Sequence, residues 1–189
     1  MVVIFAPCRG LSMLGRDCPD KLAVYVYGAN NAATQPIIQA CLELVANRHW
    51  LELDIRSADI AIAPLLTTIL TPGAIQLPRV GTLVFHPSLL PRHRGADAIR
   101  WAFKLGETYT GVTWFWPDAG IDTGDICEQE VVAILPGETP REFYTRAVMP
   151  AAVRTLARAL EDIAAGHPRR VPQQHEHGTY ETKIMRRGQ

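Results

Sequence analysis

Residues 22–45 read LAVYVYGANNAATQPIIQACLELV. The β-branched and aromatic run from Leu22 to Tyr27 predicts a buried strand, which ends in a turn at Gly28. From Pro36 to Val45 the apolar residues recur at helical spacing, and a proline suits the first turn of a helix. The stretch therefore predicts one strand followed by one helix.

Further buried strands follow along the chain. Apolar runs predict strands at residues 58–63, 81–85 and 110–116, with helical patterns between them and a helix that begins near Asp97. Strands that alternate with helices indicate an α/β fold built on a mainly parallel sheet. We therefore expect a Rossmann-like sheet with flanking helices.

The last helix has a clear start in the sequence. Thr139 and Glu142 form a capping box around Pro140, so a helix begins there. Pro150 is expected to end or kink it, and an apolar stripe then continues to Gly166, a residue suited to a left-handed cap. This stripe predicts core packing and consists of Val153, Leu156, Leu160 and Ile163.

Composition limits the class of protein. A chain of 189 residues with 48% hydrophobic residues can bury one core, and we expect one globular domain over 1–167 and a loosely held, basic and polar tail over 168–189. Lysine plus arginine and aspartate plus glutamate number 19 each, so no net charge favours nucleic acid or an anionic membrane. A small molecule is the expected partner.

Cysteine spacing and the apolar runs indicate a cytoplasmic protein without a metal. The cysteines are scattered as free thiols, and no segment resembles a signal peptide or a membrane span. His175 and His177 lie in a polar segment without the helical spacing of a zinc site, so we expect them to be solvated. The cysteines are Cys8, Cys18, Cys41 and Cys127.

Two loops carry the residues best suited to catalysis. His86 begins the segment HPSLLPRHRGA directly after a predicted strand, where ligands bind in open α/β sheets. Asp122 lies in DAGIDTGDI, residues 118–126, whose glycines permit tight turns that can present a carboxylate to a ligand. Ser88 is expected to be a loop hydroxyl, since no nucleophile elbow surrounds it. Arg92 and Arg94 are suited either to structural ion pairs or to contact with an anionic ligand.

These segments resemble the formyltransferase family that uses 10-formyltetrahydrofolate. HPSLLP at 86–91 and DTGDI at 122–126 occur in the family's order and with its interval between histidine and aspartate. The likeness runs from about Ala58 to Tyr180 and is strongest to the hydrolase domain of 10-formyltetrahydrofolate dehydrogenase, as in PRHRGA and the late GTYE.

The resemblance implies a mechanism and a folate site. His86 would stabilise a tetrahedral oxyanion, and Asp122 would raise the histidine pKa and orient the ring. The formyl donor, 10-formyltetrahydrofolate, would place its pterin ring in a largely apolar slot. The residues expected to bind it are Thr68, Ile69, Leu70, Ile75, Val84, Ala119, Gly120 and Ile121.

The chain also departs from the family pattern. Val84 stands where formyltransferases carry an asparagine, and the region before His86 is shorter here than in the family pattern. We expect no tRNA acceptor, because the sequence has neither a strong basic patch nor the carboxyl-terminal domain of the family's tRNA enzyme. The expected function is formyl transfer or hydrolysis, with water, a small amine or a sugar amine as acceptor. The alternative is a folate-binding or regulatory member of the fold without efficient turnover.

Overall fold

The computed structural model describes residues 20–32, 34–66 and 70–184. Its strands are β1 (Ala23–Val26), β2 (Trp50–Glu52), β3 (Ile60–Ala63), β4 (Gly81–His86), β5 (Arg94–Gly95), β6 (Tyr109–Phe115), β7 (Ile126–Ala133) and β8 (Tyr180–Glu181). Its α-helices are α1 (Pro36–Arg48), α2 (Pro72–Ile75), α3 (Ala98–Lys104), α4 (Pro140–Phe143) and α5 (Met149–Ala164).

A six-stranded sheet in the order β2-β1-β3-β4-β6-β7 forms the centre of the described structure. Strands β2, β1, β3 and β4 pair in parallel, whereas β6 pairs antiparallel with both β4 and β7. The predicted α/β class is confirmed, and the four predicted strands correspond to β1, β3, β4 and β6. Strands β2 and β7 were not predicted. In β7 each face carries both charged or polar and apolar residues, so the sequence shows no regular alternation there.

Helices α1 and α5 cover one face of the sheet. The predicted α1 begins at Pro36 and buries Ile37, Ile38, Cys41 and Val45. Helix α5 contributes Leu156, Leu160 and Ile163 to the same core, which confirms the predicted stripe at these three residues. Val153, its fourth predicted member, is half-buried and is not part of that core. The indole N–H of Trp114 on β6 donates to the Ala152 carbonyl at 2.9 Å and so ties the sheet to α5. No helix in the described ranges is long and apolar enough to cross a membrane.

Pro150 neither ends nor breaks the last helix. The predicted capping box forms between Thr139 and Glu142, and α4 runs into a π-helical segment at Tyr144–Val148. This segment places Pro150 in the first turn of α5, where a residue without an N–H is tolerated. Gly166 adopts the expected left-handed conformation, with φ of 82°.

The segment 171–184, here called the C-terminal strap, is packed against the rest of the molecule. Val171 exchanges main-chain hydrogen bonds with Ile126, and β8 pairs in parallel with β5. The expectation of a loosely held tail is therefore wrong for this segment, because its backbone extends the hydrogen bonding of neighbouring loops. The division of the chain at residue 167 stays a prediction.

Candidate functional site

His86 is the last residue of β4. Side chains alternate along a strand, so Leu83 and Phe85 face the main core and Val84 and His86 face the opposite side. The His86 ring is 6% exposed, and its Nε2–H donates to the main-chain carbonyl of His93 at 2.7 Å. That hydrogen bond holds the proton on Nε2, which leaves Nδ1 as the nitrogen available for chemistry.

Asp122 approaches His86 from the loop between β6 and β7. Its Oδ2 lies 3.5 Å from His86 Nδ1 and accepts the Gly95 N–H at 2.7 Å. The turn depends on Gly124, because a Cβ atom there would lie 1.8 Å from the Trp116 carbonyl oxygen. Two loops far apart in sequence thus bring an imidazole and a carboxylate together at the edge of the sheet.

Burial determines the charge state of His86. It lowers the pKa of the imidazole, while the Asp122 carboxylate and the hydrogen bond to the His93 carbonyl act in the opposite direction. The net direction is downward, so the expectation that Asp122 raises the histidine pKa describes a real contribution that burial outweighs. The neutral ring carries a lone pair on Nδ1 and can accept a proton there.

A cavity of about 470 Å³ borders His86. It lies beyond the carboxyl ends of β3 and β4 and between the first residues of α3 and α4. Apolar residues 64–66 and Phe85 line one part, and Arg100, Arg141 and Tyr144 line another. A concave, largely apolar space with a few polar groups is the usual form of a small-molecule site.

The sequence matches the family described as formyl transferase over residues 40–160. The chain belongs to the formyl transferase family. It is 38% identical over 143 residues to cytosolic 10-formyltetrahydrofolate dehydrogenase of Mus musculus, a match that covers 76% of this chain and 15% of that protein. The chain thus spans a small part of the length of this curated relative.

Solved structures share the fold of this family member. HypX from Aquifex aeolicus in complex with tetrahydrofolic acid superposes with a TM-score of 0.74 at 21% identity, over 87% of this chain and 30% of that one. The formyltransferase PseJ from Anoxybacillus kamchatkensis, in complex with a UDP-linked formamido sugar and tetrahydrofolate, gives 0.65 at 23% identity and covers 85% of both chains. At these identities the likeness establishes the fold.

Of the residues expected to bind folate, those that the structure describes do not line the cavity at His86. Val84 is buried against Ala63, Leu90 and Phe115 on the His86 side of the sheet. Ile121 is 47% exposed at the tip of the Asp122 loop, next to Ala119 and Gly120. Leu70 and Ile75 flank or form α2 and are half-buried, whereas Thr68 and Ile69 lie outside the described residues. Their roles, and those of His86 and Asp122, stay predictions.

The other polar residues of the histidine loop have structural partners. The Ser88 hydroxyl donates to the Arg92 carbonyl at 2.6 Å, which fits a loop hydroxyl. Arg92 pairs with Glu107, and Arg94 donates to Gln173, so both guanidinium groups serve the protein itself.

Sequence reasoning missed the contribution of the C-terminal strap. Gln173 and Thr179 contact the main chain of the two candidate catalytic loops. The GTYE segment at 178–181 was recognised as a family likeness, and this was the one available signal that the strap belongs to the site. Gln173 stands in a polar, proline-flanked segment without periodicity, so nothing in its surroundings predicted burial.

The two cysteines that the structure describes are absent from the lining of the cavity at His86. Cys41 and Cys127 are buried, and burial raises the pKa of each to about 12, so both stay protonated. Cys8 and Cys18 lie outside the described residues. Across 20–32, 34–66 and 70–184, no group of three or more His, Cys, Asp or Glu side chains is placed to hold a metal ion.

Proposed function

We propose that the protein is an enzyme that removes the formyl group from 10-formyltetrahydrofolate and passes it to a small acceptor. The observation that carries this proposal is the approach of His86 Nδ1 to within 3.5 Å of Asp122 Oδ2 at the border of a cavity of about 470 Å³. A base with a fixed tautomer beside a carboxylate and a small-molecule cavity is suited to acyl transfer.

The geometry supports His86 as a general base. With Nε2–H committed to the His93 carbonyl, Nδ1 accepts the proton of the attacking nucleophile as the nucleophile bonds to the formyl carbon. The imidazolium so formed lies between the His93 carbonyl and the Asp122 carboxylate, which both favour the charged ring. Nδ1 then returns the proton to the departing N10 nitrogen when its bond to the formyl carbon breaks.

The formyl donor is proposed to lie on the Val84 side of the site. The expected pterin contacts there are the backbone around Thr68, Ile69 and Leu70, the side chains of Ile75 and Val84, and the loop from Ala119 to Ile121. The loop conformation is supported by Asp118, which accepts the Gly120 N–H at 2.9 Å and the Thr123 hydroxyl at 2.6 Å. No described residue of this set contributes a charged side chain, which suits a flat heteroaromatic ring.

The cavity favours an organic acceptor. A volume of about 470 Å³ far exceeds the roughly 30 Å³ that one water molecule occupies in the liquid. An acceptor amine placed there would face His86, and its remaining part would reach Arg100, Arg141 and Tyr144 at the lining. We therefore propose a small amine or sugar amine as the first candidate acceptor.

Hydrolysis is the second candidate. Val84 supplies no amide to polarise the formyl oxygen, and the relative with 38% identity over 143 residues is a 10-formyltetrahydrofolate dehydrogenase. Water in the cavity would be the nucleophile, with formate as the product. A Val84→Asn variant tests this point, because an added amide should raise transfer to an amine relative to hydrolysis.

We propose the cytoplasm as the place of this activity and a small molecule as the partner. The support for this location is that the relatives include cytosolic enzymes.

The direct test is incubation of the full chain with 10-formyltetrahydrofolate. We expect tetrahydrofolate to form, and the ratio of formate to tetrahydrofolate measures hydrolysis against transfer when candidate amines are added. His86→Ala and Asp122→Asn should lower the rate on the order of a hundred- to a thousandfold. Wild-type turnover no faster than both variants, together with calorimetric binding of a folate, would instead support a binding protein.

A further inference from the structure

Gln173 of the C-terminal strap makes hydrogen bonds through both the nitrogen and the oxygen of its side-chain amide. Its Nε2 donates to the main-chain carbonyls of Asp122 at 2.9 Å and Gly124 at 2.7 Å. Its Oε1 accepts from Arg94 Nε at 3.1 Å and Nη2 at 2.6 Å. The residue is 5% exposed, and a buried amide with all of its hydrogen bonds made has one orientation.

These hydrogen bonds link Asp122 to the chain at Arg94 and Gly95 by two routes, one through its carboxylate and one through its carbonyl. Arg94 precedes Gly95, whose N–H donates to Asp122 Oδ2, while Gln173 joins Arg94 to the Asp122 carbonyl. Asp122 has a positive φ of 54°, a conformation that a non-glycine residue keeps only when its surroundings hold it. Gln173 supplies that support from outside the cavity.

The same strap also holds the loop that orients His86. The Thr179 hydroxyl accepts the main-chain N–H of His93 at 2.8 Å, and Glu181 Oε1 lies 3.3 Å from His93 Nδ1. His93 also has a φ of 54°, and its carbonyl is the partner of His86 Nε2. The strap therefore reaches both members of the candidate pair through main-chain groups.

We infer that the C-terminal strap sets the geometry of the His86–Asp122 pair and that Gln173 is the positioning residue for Asp122. Gln173 touches neither ring nor carboxylate of the pair, so it acts through the backbone of the Asp122 loop. The kinetic consequence of this inference rests on the proposed function, whereas its structural consequence can be measured without turnover.

The test is an NMR titration of His86 in the full chain. The charged groups that act on its pKa in the described structure are Asp122, which raises it, and His93, which lowers it. If Gln173→Met lets Asp122 move away, the His86 pKa falls, in the same direction as in Asp122→Asn and by less. Gln174→Met is the matched control, because Gln174 is exposed and its side chain contacts the exposed His177.

Kinetics supply a second readout. Gln173→Met should lower kcat by about tenfold or more with little change in the KM for the formyl donor, since a displacement of about 1 Å at a reacting group can cost a hundredfold. A protein without turnover would remove this readout and leave the titration intact, so failure of the proposed function is distinguishable from failure of the inference.

A folded Gln173→Met protein whose His86 titrates as in the wild type would overturn the inference. Should this variant lose cooperative unfolding, Gln173→Glu replaces it, because a carboxylate keeps the Arg94 contacts and removes the two donors. Because the added negative charge itself raises the His86 pKa, the readout is the fall caused by Asp122→Asn, measured in the Gln173→Glu background and in the wild type. A smaller fall in the Gln173→Glu background supports displacement of Asp122, and an equal fall contradicts it.

Discussion

Two buried histidines, His86 and His93, lie close together in this molecule but differ in the partners of their ring nitrogens. Each ring nitrogen of His93 faces a carboxylate, with Nε2 at 3.1 Å from Glu107 and Nδ1 at 3.3 Å from Glu181. His86 has one nitrogen on a carbonyl at 2.7 Å and the other 3.5 Å from Asp122, longer than a good hydrogen bond. The cavity borders His86 and has no His93 in its lining.

The difference supports the proposal that His86 takes part in the chemistry while His93 has a structural role, and it lies in unused hydrogen-bonding capacity and not in burial. His86 and His93 are 6% and 2% exposed, so exposure does not distinguish them. His93 has no nitrogen left for a substrate, whereas His86 keeps Nδ1 directed toward a carboxylate beside the cavity. The predictions below test this contrast in order of expected effect.

The largest effect is expected at His86. His86→Ala should lower kcat with 10-formyltetrahydrofolate by roughly a thousandfold, because general-base catalysis typically contributes a hundred- to ten-thousandfold. The measurement is the initial rate of tetrahydrofolate formation, with the thermal unfolding midpoint as a check of folding. A loss below about tenfold in a folded variant would place the chemistry elsewhere.

A smaller effect, on stability, is expected at the His93 cluster. Glu107→Gln removes the carboxylate that His93 and Arg92 share, and its side chain is 12% exposed. The free energy of unfolding should fall by about 1–3 kcal/mol, as for other buried hydrogen bonds to charged groups. Denaturant unfolding measures this.

The control for that variant is Glu176→Gln, since Glu176 is exposed in the strap. It should leave the free energy of unfolding unchanged. Equal losses in the two variants would mean that the His93 cluster contributes no specific stability.

The smallest effect is expected at Arg92. Its side chain is 43% exposed, and His93 keeps Glu107 bonded when Arg92 is absent. Arg92→Met should therefore change the free energy of unfolding by less than about 1 kcal/mol and leave kcat unchanged. A marked loss of turnover would show that Arg92 contacts a ligand, which was the alternative interpretation from the sequence.

The sequence was sufficient for the parts of the fold that depend on local pattern. The apolar runs of β1, β3, β4 and β6 predicted buried strands because strands covered on both faces lack polar alternation. The capping box at Thr139 fixed the start of α4, since its hydrogen bonds are local. Pro150 was expected to end or kink the helix, but it does not end it, because a π-helical segment that the pattern does not reveal places it in the first turn of α5.

The rest depended on contacts between distant segments. The approach of Asp122 to His86 was inferred from a family likeness, whereas the role of Gln173 had no local signal, because it arises from hydrogen bonds across about fifty residues of chain. The pKa direction of His86 also required the structure, since the balance between burial and a nearby carboxylate is a three-dimensional property.

The pH dependence of kcat/KM tests the central claim most directly, because it reports the pKa values of the free enzyme. In the proposed mechanism the neutral form of His86 is the base, so activity should be present above its pKa and lost as the pH falls through it. Because burial lowers that pKa, the acid limb should lie below the ordinary histidine value of about 6.5. The free energy of unfolding should depend on pH in the same direction. Burial of the neutral ring stabilises the fold above the unfolded-state pKa of His86, and this contribution is lost as the pH falls through the folded-state pKa.

The measurement is kcat/KM for 10-formyltetrahydrofolate against pH, for the wild type and for Asp122→Asn. The account predicts an acid limb below pH 6.5 in the wild type, displaced to still lower pH in Asp122→Asn, because the carboxylate that raises the His86 pKa is gone. An acid limb above 6.5, or one that does not move in Asp122→Asn, would contradict the account of His86 and Asp122 as a coupled pair.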